Sequence, residues 1–163
     1  IYSYFRLYYP FNSSSVVVSK KELKKISGFP PGVNEGQDII TWMKLFLITK
    51  IAFINEPLSF YHHDAPNRAC IKNESRLGTY PVVSYLKKSL KQKKVPKNYI
   101  QSVNEYITKY QIASSKRNLK FGKPKQAIKF LFQCKITKEY RKLWIKYFLL
   151  SIITLVIPKF YHN

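Results

Sequence analysis

Acid is scarce in this chain. Eight Asp and Glu stand against 29 Lys and Arg, a formal net charge of +21 over 163 residues. A chain so basic repels itself unless it meets an anionic partner, which points to nucleic acid, an anionic membrane surface or, locally, an anionic substrate. Cysteine is scarce too. Cys70 and Cys134 form no CxxC pair and neither lies near a His at zinc-ligand spacing, which excludes a zinc site and a disulfide framework and leaves two reduced packing residues, in keeping with a cytoplasmic address. Long apolar runs are absent. The longest uncharged one, Tyr147 to Ile157, has 11 residues, short of the roughly 18 to 20 that a bilayer span needs. There is no initiating Met, no charged-then-apolar leader and no internal repeat, so the expectation is a truncated, non-secreted protein.

What is present is enough apolar and aromatic side chain, 45% and 16% of residues, to fill a core, which excludes global disorder. The charge is uneven. Residues 1–68 hold 8 basic and 5 acidic side chains, a net +3, whereas residues 69–163 hold 21 and 3, a net +18. Two parts with different work are expected, 1–75 and 76–163.

Along the first part, Ser14 to Val18 reads as a strand feeding a short helix, with Ser19 and Glu22 spaced as a capping box. Gly28 suits its left-handed terminator, Pro30-Pro31 forbids continuation, and Gly28 and Gly32 serve backbone geometry. From Asp38, the apolar positions Ile39, Ile40, Met43, Phe46 and Leu47 recur at helical spacing beside Trp42, predicting about three helical turns. Two β-rich runs follow, Ile51 to Ile54 and Leu58 to His62, broken at Asn55-Glu56-Pro57. The second part reads as helix upon helix, with Gly122 as a cap, Pro124 in a first turn and Thr137 as the N-cap of the last segment.

The ordered elements are a small-residue strand, a short helix ending in Gly-Phe, a loop reading "GQD", a Trp four residues after the acid, and "KIAFINEPLSFYHH". This series resembles the C-terminal half of the catalytic domain of a family 2 inverting glycosyltransferase, over roughly residues 10–70. The resemblance implies an α/β chain, a partial GT-A fold lacking its N-terminal nucleotide-binding half, followed by a mostly helical extension. It also implies transfer of a sugar from a nucleotide-diphosphate donor to a glycan or lipid-linked acceptor in bacterial surface-polysaccharide assembly.

Carried residue by residue, the resemblance makes Asp38 the general base that takes the acceptor hydroxyl proton, a role worth about 10²–10⁴-fold. The family more often shows Glu-Asp where this chain has Gln37-Asp38; Gln37, Glu35 and Trp42 stand as acceptor contacts. His62 or His63 falls where such enzymes ligate a divalent metal or meet the diphosphate, strand alternation admitting only one of them, and Arg68 is a diphosphate contact. The Mg²⁺ or Mn²⁺ is expected to be held mainly by the missing half, since the chain has no Asp-x-Asp motif. The plain readings stand beside these. Asp38 is then a helix-terminal acid favoured by the macrodipole by about 0.3–1 kcal/mol, Trp42 is core, Ser13 to Ser15 are small residues of a strand rather than neighbours of donor or acceptor, and Asp64 is a turn former.

The basic tail mixes Lys with Tyr, Phe, Leu and Ile, a pattern that suits peripheral contact with an anionic membrane or a solvated face over a helical core. Nucleic acid is the rival partner, against which stand the absence of an RNP-like motif, a zinc finger or a Gly-rich clamp and the excess of Lys over Arg. A noncatalytic remnant that docks to a membrane or partner is the alternative to the transferase reading.

Overall fold

The computed structural model describes residues 13–33, 36–60, 62, 64 and 77–157. The chain divides into two compact units, residues 1–76 and 77–163. Among the described residues 63% are helical and none lies in a strand or sheet. The expected α/β chain with a partial GT-A fold is therefore overturned; this is a helical protein. The reason lies in what β-propensity measures, which is fit to a pleated, half-buried surface rather than a preference of the isolated backbone. Residues 51–60 find no neighbouring strand among the described residues, and Phe53, Ile54, Leu58 and Phe60 are more than half exposed. The expected strand at Ser14 to Val18 fails for a similar reason, with Ser13–Ser15 closing a 3-10 turn and Val17 left fully exposed.

In the first unit, helix α1 spans Lys20–Lys25. The expected capping box does not form, because Ser19 makes no side-chain cap bond and Glu22 instead accepts from Lys25 Nζ at 2.7 Å. The helix ends where the Ser27 N–H meets the Lys24 carbonyl and the Gly28 N–H meets the Leu23 carbonyl, each at 3.0 Å. Ser27 already sits at φ +61°, so the left-handed turn begins one residue before the expected Gly28. Helix α2, Gln37–Ile48, follows Gly36 at φ +75°, a value that a side chain resists. It buries Ile40, Trp42, Met43, Leu45 and Phe46. Lys44 Nζ donates to the Ile26 carbonyl beyond the end of α1 at 3.3 Å.

The second unit contains α3 (Pro81–Lys91), a 3-10 turn (Lys97–Tyr99), α4 (Ile100–Lys120), α5 (Pro124–Phe132) and α6 (Arg141–Val156). Helix α4 is its centre, with 13 of its 21 residues buried. Ile112 and Leu119 of α4, Ala127 and Leu131 of α5 and Tyr147 of α6 form one buried cluster. The α4–α5 hairpin is turned by Gly122 at φ +65°. The Lys123 N–H bonds the Asn118 carbonyl at 2.8 Å and the Gly122 N–H bonds the Leu119 carbonyl at 2.9 Å, the paired bonds of a Schellman end. Pro124 opens α5 at its first turn, where a missing N–H costs nothing. Helix α6 starts later than expected: Tyr140, not Thr137, is its N-cap, and the buried Thr137 hydroxyl has no partner among the described residues.

Buried polar groups on α4 bind the surrounding chain. Thr108 Oγ1 donates to the Lys135 carbonyl at 2.7 Å. Asn118, fully buried, donates through Nδ2 to the Leu77 carbonyl at 3.0 Å and the Ser114 carbonyl at 2.8 Å. Replacing Asn118 with Ala strands the Leu77 carbonyl and is expected to cost about 2–3 kcal/mol in urea unfolding. Lys93, exposed after α3 at φ +55°, sits where a side chain is disfavoured by about 1–2 kcal/mol. Lys93→Gly is therefore expected to raise unfolding stability by about 1 kcal/mol, read as a shift of the urea midpoint at unchanged slope.

Candidate active site at the N-terminus of α2

Helix α2 starts after Gly36, and Asp38, half-buried, is its second residue. Both oxygens of its carboxylate are engaged. Oδ1 accepts from the Ile39 N–H at 2.8 Å, which satisfies one orphan donor of the helix start, and Oδ2 accepts from Ser13 Oγ at 2.8 Å. The second contact reaches across 25 residues of sequence and ties the 3-10 turn to the mouth of α2. Each carboxylate oxygen carries a second lone pair, so the group keeps acceptor capacity on the solvent side while its orientation is held from two directions.

Gln37, the neighbouring residue, is half-buried, and its side-chain carbonyl oxygen finds no hydrogen-bond partner among the described residues. That oxygen is shut off from solvent, so it is the Asp38 carboxylate that offers open acceptor capacity at this helix start. Sequence reasoning weighed the serines only as small strand residues or as neighbours of donor or acceptor. The Ser13 to Asp38 bond was not foreseen, because no local spacing rule connects residues so far apart.

Trp42 lies one turn further and is 7% exposed, with its ring edge-on to Phe29 at 5.9 Å between centroids. Its ring belongs to the packing behind the site, and Trp42→Ala is expected to cost about 3–5 kcal/mol in the unfolding of the first unit, followed by chemical denaturation. Glu35, His63 and Arg68 lie outside the described residues. His62 Nδ1 stands 3.8 Å from Asp64 Oδ1, both side chains at least 80% exposed.

The Mg²⁺ or Mn²⁺ was expected to be held mainly by residues outside this chain, with His62 or His63 as the contact here. Hard divalent cations take six or more oxygens around several carboxylates or carbonyls, whereas His62 and Asp64 offer one nitrogen and one carboxylate on open surface, and no cluster of three His, Cys, Asp or Glu occurs among the described residues. These residues do not fit the ion, and no step is derived through it.

Two further features lie in the second unit. A shallow, open depression of about 420 Å³ is lined by Gly122 to Gln126 and Leu155; it gathers no acid–base pair. Cys134 donates to the Leu131 carbonyl at 2.9 Å, and burial pushes its thiol up from the ordinary value, so it stays protonated and fits the reduced packing role. Burial likewise lowers the nearby Lys87 from its ordinary value.

No family model, curated protein or solved structure matches the chain.

Proposed function

We propose that the chain carries the acceptor-side residues of an inverting sugar transferase that uses a nucleotide-diphosphate sugar. The observation that carries the reading is the Asp38 carboxylate at the mouth of α2, oriented by the Ile39 N–H and by Ser13 Oγ. The ordered resemblance from the serines at 13–15 to "FYHHDAPNRA" supports it from the sequence side. The reading rests on this site and on the order of residues, not on a sheet.

In this reaction the acceptor hydroxyl donates its proton to Asp38 as its oxygen bonds to the anomeric carbon. The bond from that carbon to the diphosphate oxygen breaks on the opposite face, and the electron pair leaves with the nucleoside diphosphate. Asp38 is suited by position, within hydrogen-bond reach of a bound hydroxyl. Gln37, next to it in the chain, is an acceptor contact. Trp42 acts behind them as packing. Nucleotide and metal binding fall to residues other than these, and Arg68 with His62 or His63 meets the diphosphate.

The acceptor class is a glycan or lipid-linked glycan of bacterial surface-polysaccharide assembly. The same reading puts the chain in the cytoplasm with any membrane contact peripheral; among the described residues no helix is long and apolar enough to cross a membrane.

The test is release of nucleoside diphosphate from a panel of nucleotide sugars by the full-length gene product, with acceptor glycolipid extract present and absent. Asp38→Asn keeps both hydrogen-bond partners within reach of an amide oxygen or nitrogen and is expected to lower turnover by about 10²–10⁴-fold, with an unchanged unfolding midpoint. Undiminished turnover in Asp38→Asn removes the base assignment, and the transferase reading with it.

A further inference from the structure

Helix α6 carries apolar side chains on both faces. Toward the bundle it packs Trp144, Phe148 and Leu150 against the core beside the buried Tyr147, Ser151 and Thr154, and the two hydroxyls bond back along their own helix, Ser151 Oγ to the Tyr147 carbonyl at 2.6 Å and Thr154 Oγ1 to the Leu150 carbonyl at 2.7 Å. Toward solvent it presents Ile145, Leu149, Ile152 and Val156, exposed by 46, 55, 41 and 75%. Their i, i+4, i+7, i+11 spacing confines them to an arc of about 60° on the helix surface. A helix that is apolar on its outer face in this way has that face covered in its working state.

The borders of the stripe say by what. On one side stand Lys142 and Lys146, exposed and one turn apart, with Arg141 at the helix start. On the other stands an aromatic group: Trp144 stacks on Phe148 at 5.1 Å, and Phe132, itself 67% exposed, meets both edge-on. Lys135, Ile136 and Lys138, all exposed, precede the helix. The unit as a whole carries 19 Lys and Arg against 2 Glu, a net +17 over residues 77–163.

We propose that the outer face of α6 docks on an anionic lipid surface, the helix lying in the plane of the interface with Ile145, Leu149, Ile152 and Val156 among the acyl chains and Arg141, Lys142 and Lys146 at the headgroups. This does not rest on the transferase reading. Charge complementarity selects the occupant: a second copy of a unit at +17 adds like charge to like charge, whereas anionic headgroups neutralise it. A nucleic acid matches the charge but offers nothing to cover four aliphatic side chains. At 16 residues the helix is about 24 Å long, short of the roughly 30 Å hydrocarbon thickness, which fits a helix lying on the membrane rather than through it.

The test is co-flotation of the full chain with vesicles of phosphatidylcholine alone or mixed with phosphatidylglycerol, at ~0.15 M salt, where charges on open surface are screened beyond about 8 Å. Partitioning is expected to favour the anionic vesicles by at least about tenfold. The triple variant Ile145→Ser, Leu149→Ser, Ile152→Ser, whose helicity is checked by circular dichroism, is expected to lose at least about tenfold of that partitioning. Lys142→Glu with Lys146→Glu, which leaves the apolar stripe whole, is expected to weaken the preference for anionic over neutral vesicles several-fold. The proposal is overturned if the chain floats with neither vesicle, or if the Ser variant binds as the parent does. It is overturned equally if the parent is a dimer that the Ser variant separates while vesicles go unbound, or if poly(U) RNA outcompetes the vesicles with no effect of the Ser substitutions.

Discussion

The second unit depends on burying α4 on nearly all of its sides, and on the hydrogen bonds that this burial makes obligatory. A helix so enclosed cannot leave the donors of Thr108, Gln111 and Asn118 to water, and each of them reaches the chain that wraps it. Asn118 takes the Leu77 carbonyl ahead of α3, Thr108 takes the Lys135 carbonyl between α5 and α6, and Gln111 reaches Gln133 at 3.4 Å. These bonds fix the entry to α3 and the passage from α5 to α6. Tyr106, Tyr110 and Tyr80 then stack around the same helix, with Arg117 over the Tyr80 ring at 5.3 Å, so a cation is held by a ring face where acids are few.

That scarcity of acid shapes the surface. With 2 Glu among 19 cations, basic side chains here cannot be neutralised by ion pairs within the unit, and Glu105 is buried and already accepts from Gln101 Nε2 at 3.2 Å. Stability therefore has to come from apolar burial, yet α6 spends its best aliphatic residues on the outside and places Ser151 and Thr154 within. The proposed docking of the outer face on an anionic lipid surface reconciles the two facts, since it covers the aliphatic side chains and neutralises the positive charge beside them.

Much of this was legible in the sequence, by element. Helix α2 was readable from its period, and Gly122-Lys123-Pro124 read correctly as a helix end followed by a helix start, because both rest on local backbone rules. The β-rich runs misled over residues 51–60, since Ile and Phe predict a strand only where another strand exists to receive it. Ser19–Glu22 misled on a smaller scale: Lys25, one turn after Glu22, competes for the same carboxylate and wins. Thr137 was a sound cap by type, but Tyr140 takes the position. The inward Ser151 and Thr154 were invisible because an apolar run names no inner side; only the packing of Tyr147 against Leu131 and Ala127 selects it.

For the candidate site, type and place of Asp38 were legible, while its partner Ser13 was not. Oδ1 on the Ile39 N–H is the bond of a helix-terminal acid, found within the helix itself, whereas Oδ2 on Ser13 Oγ reaches 25 residues away in sequence. For the proposed base role that second tether has a use, because it removes rotamers in which the carboxylate faces elsewhere. Gln37, one residue back, holds a buried carbonyl oxygen without a partner among the described residues, a cost of about 1–3 kcal/mol at the same helix start.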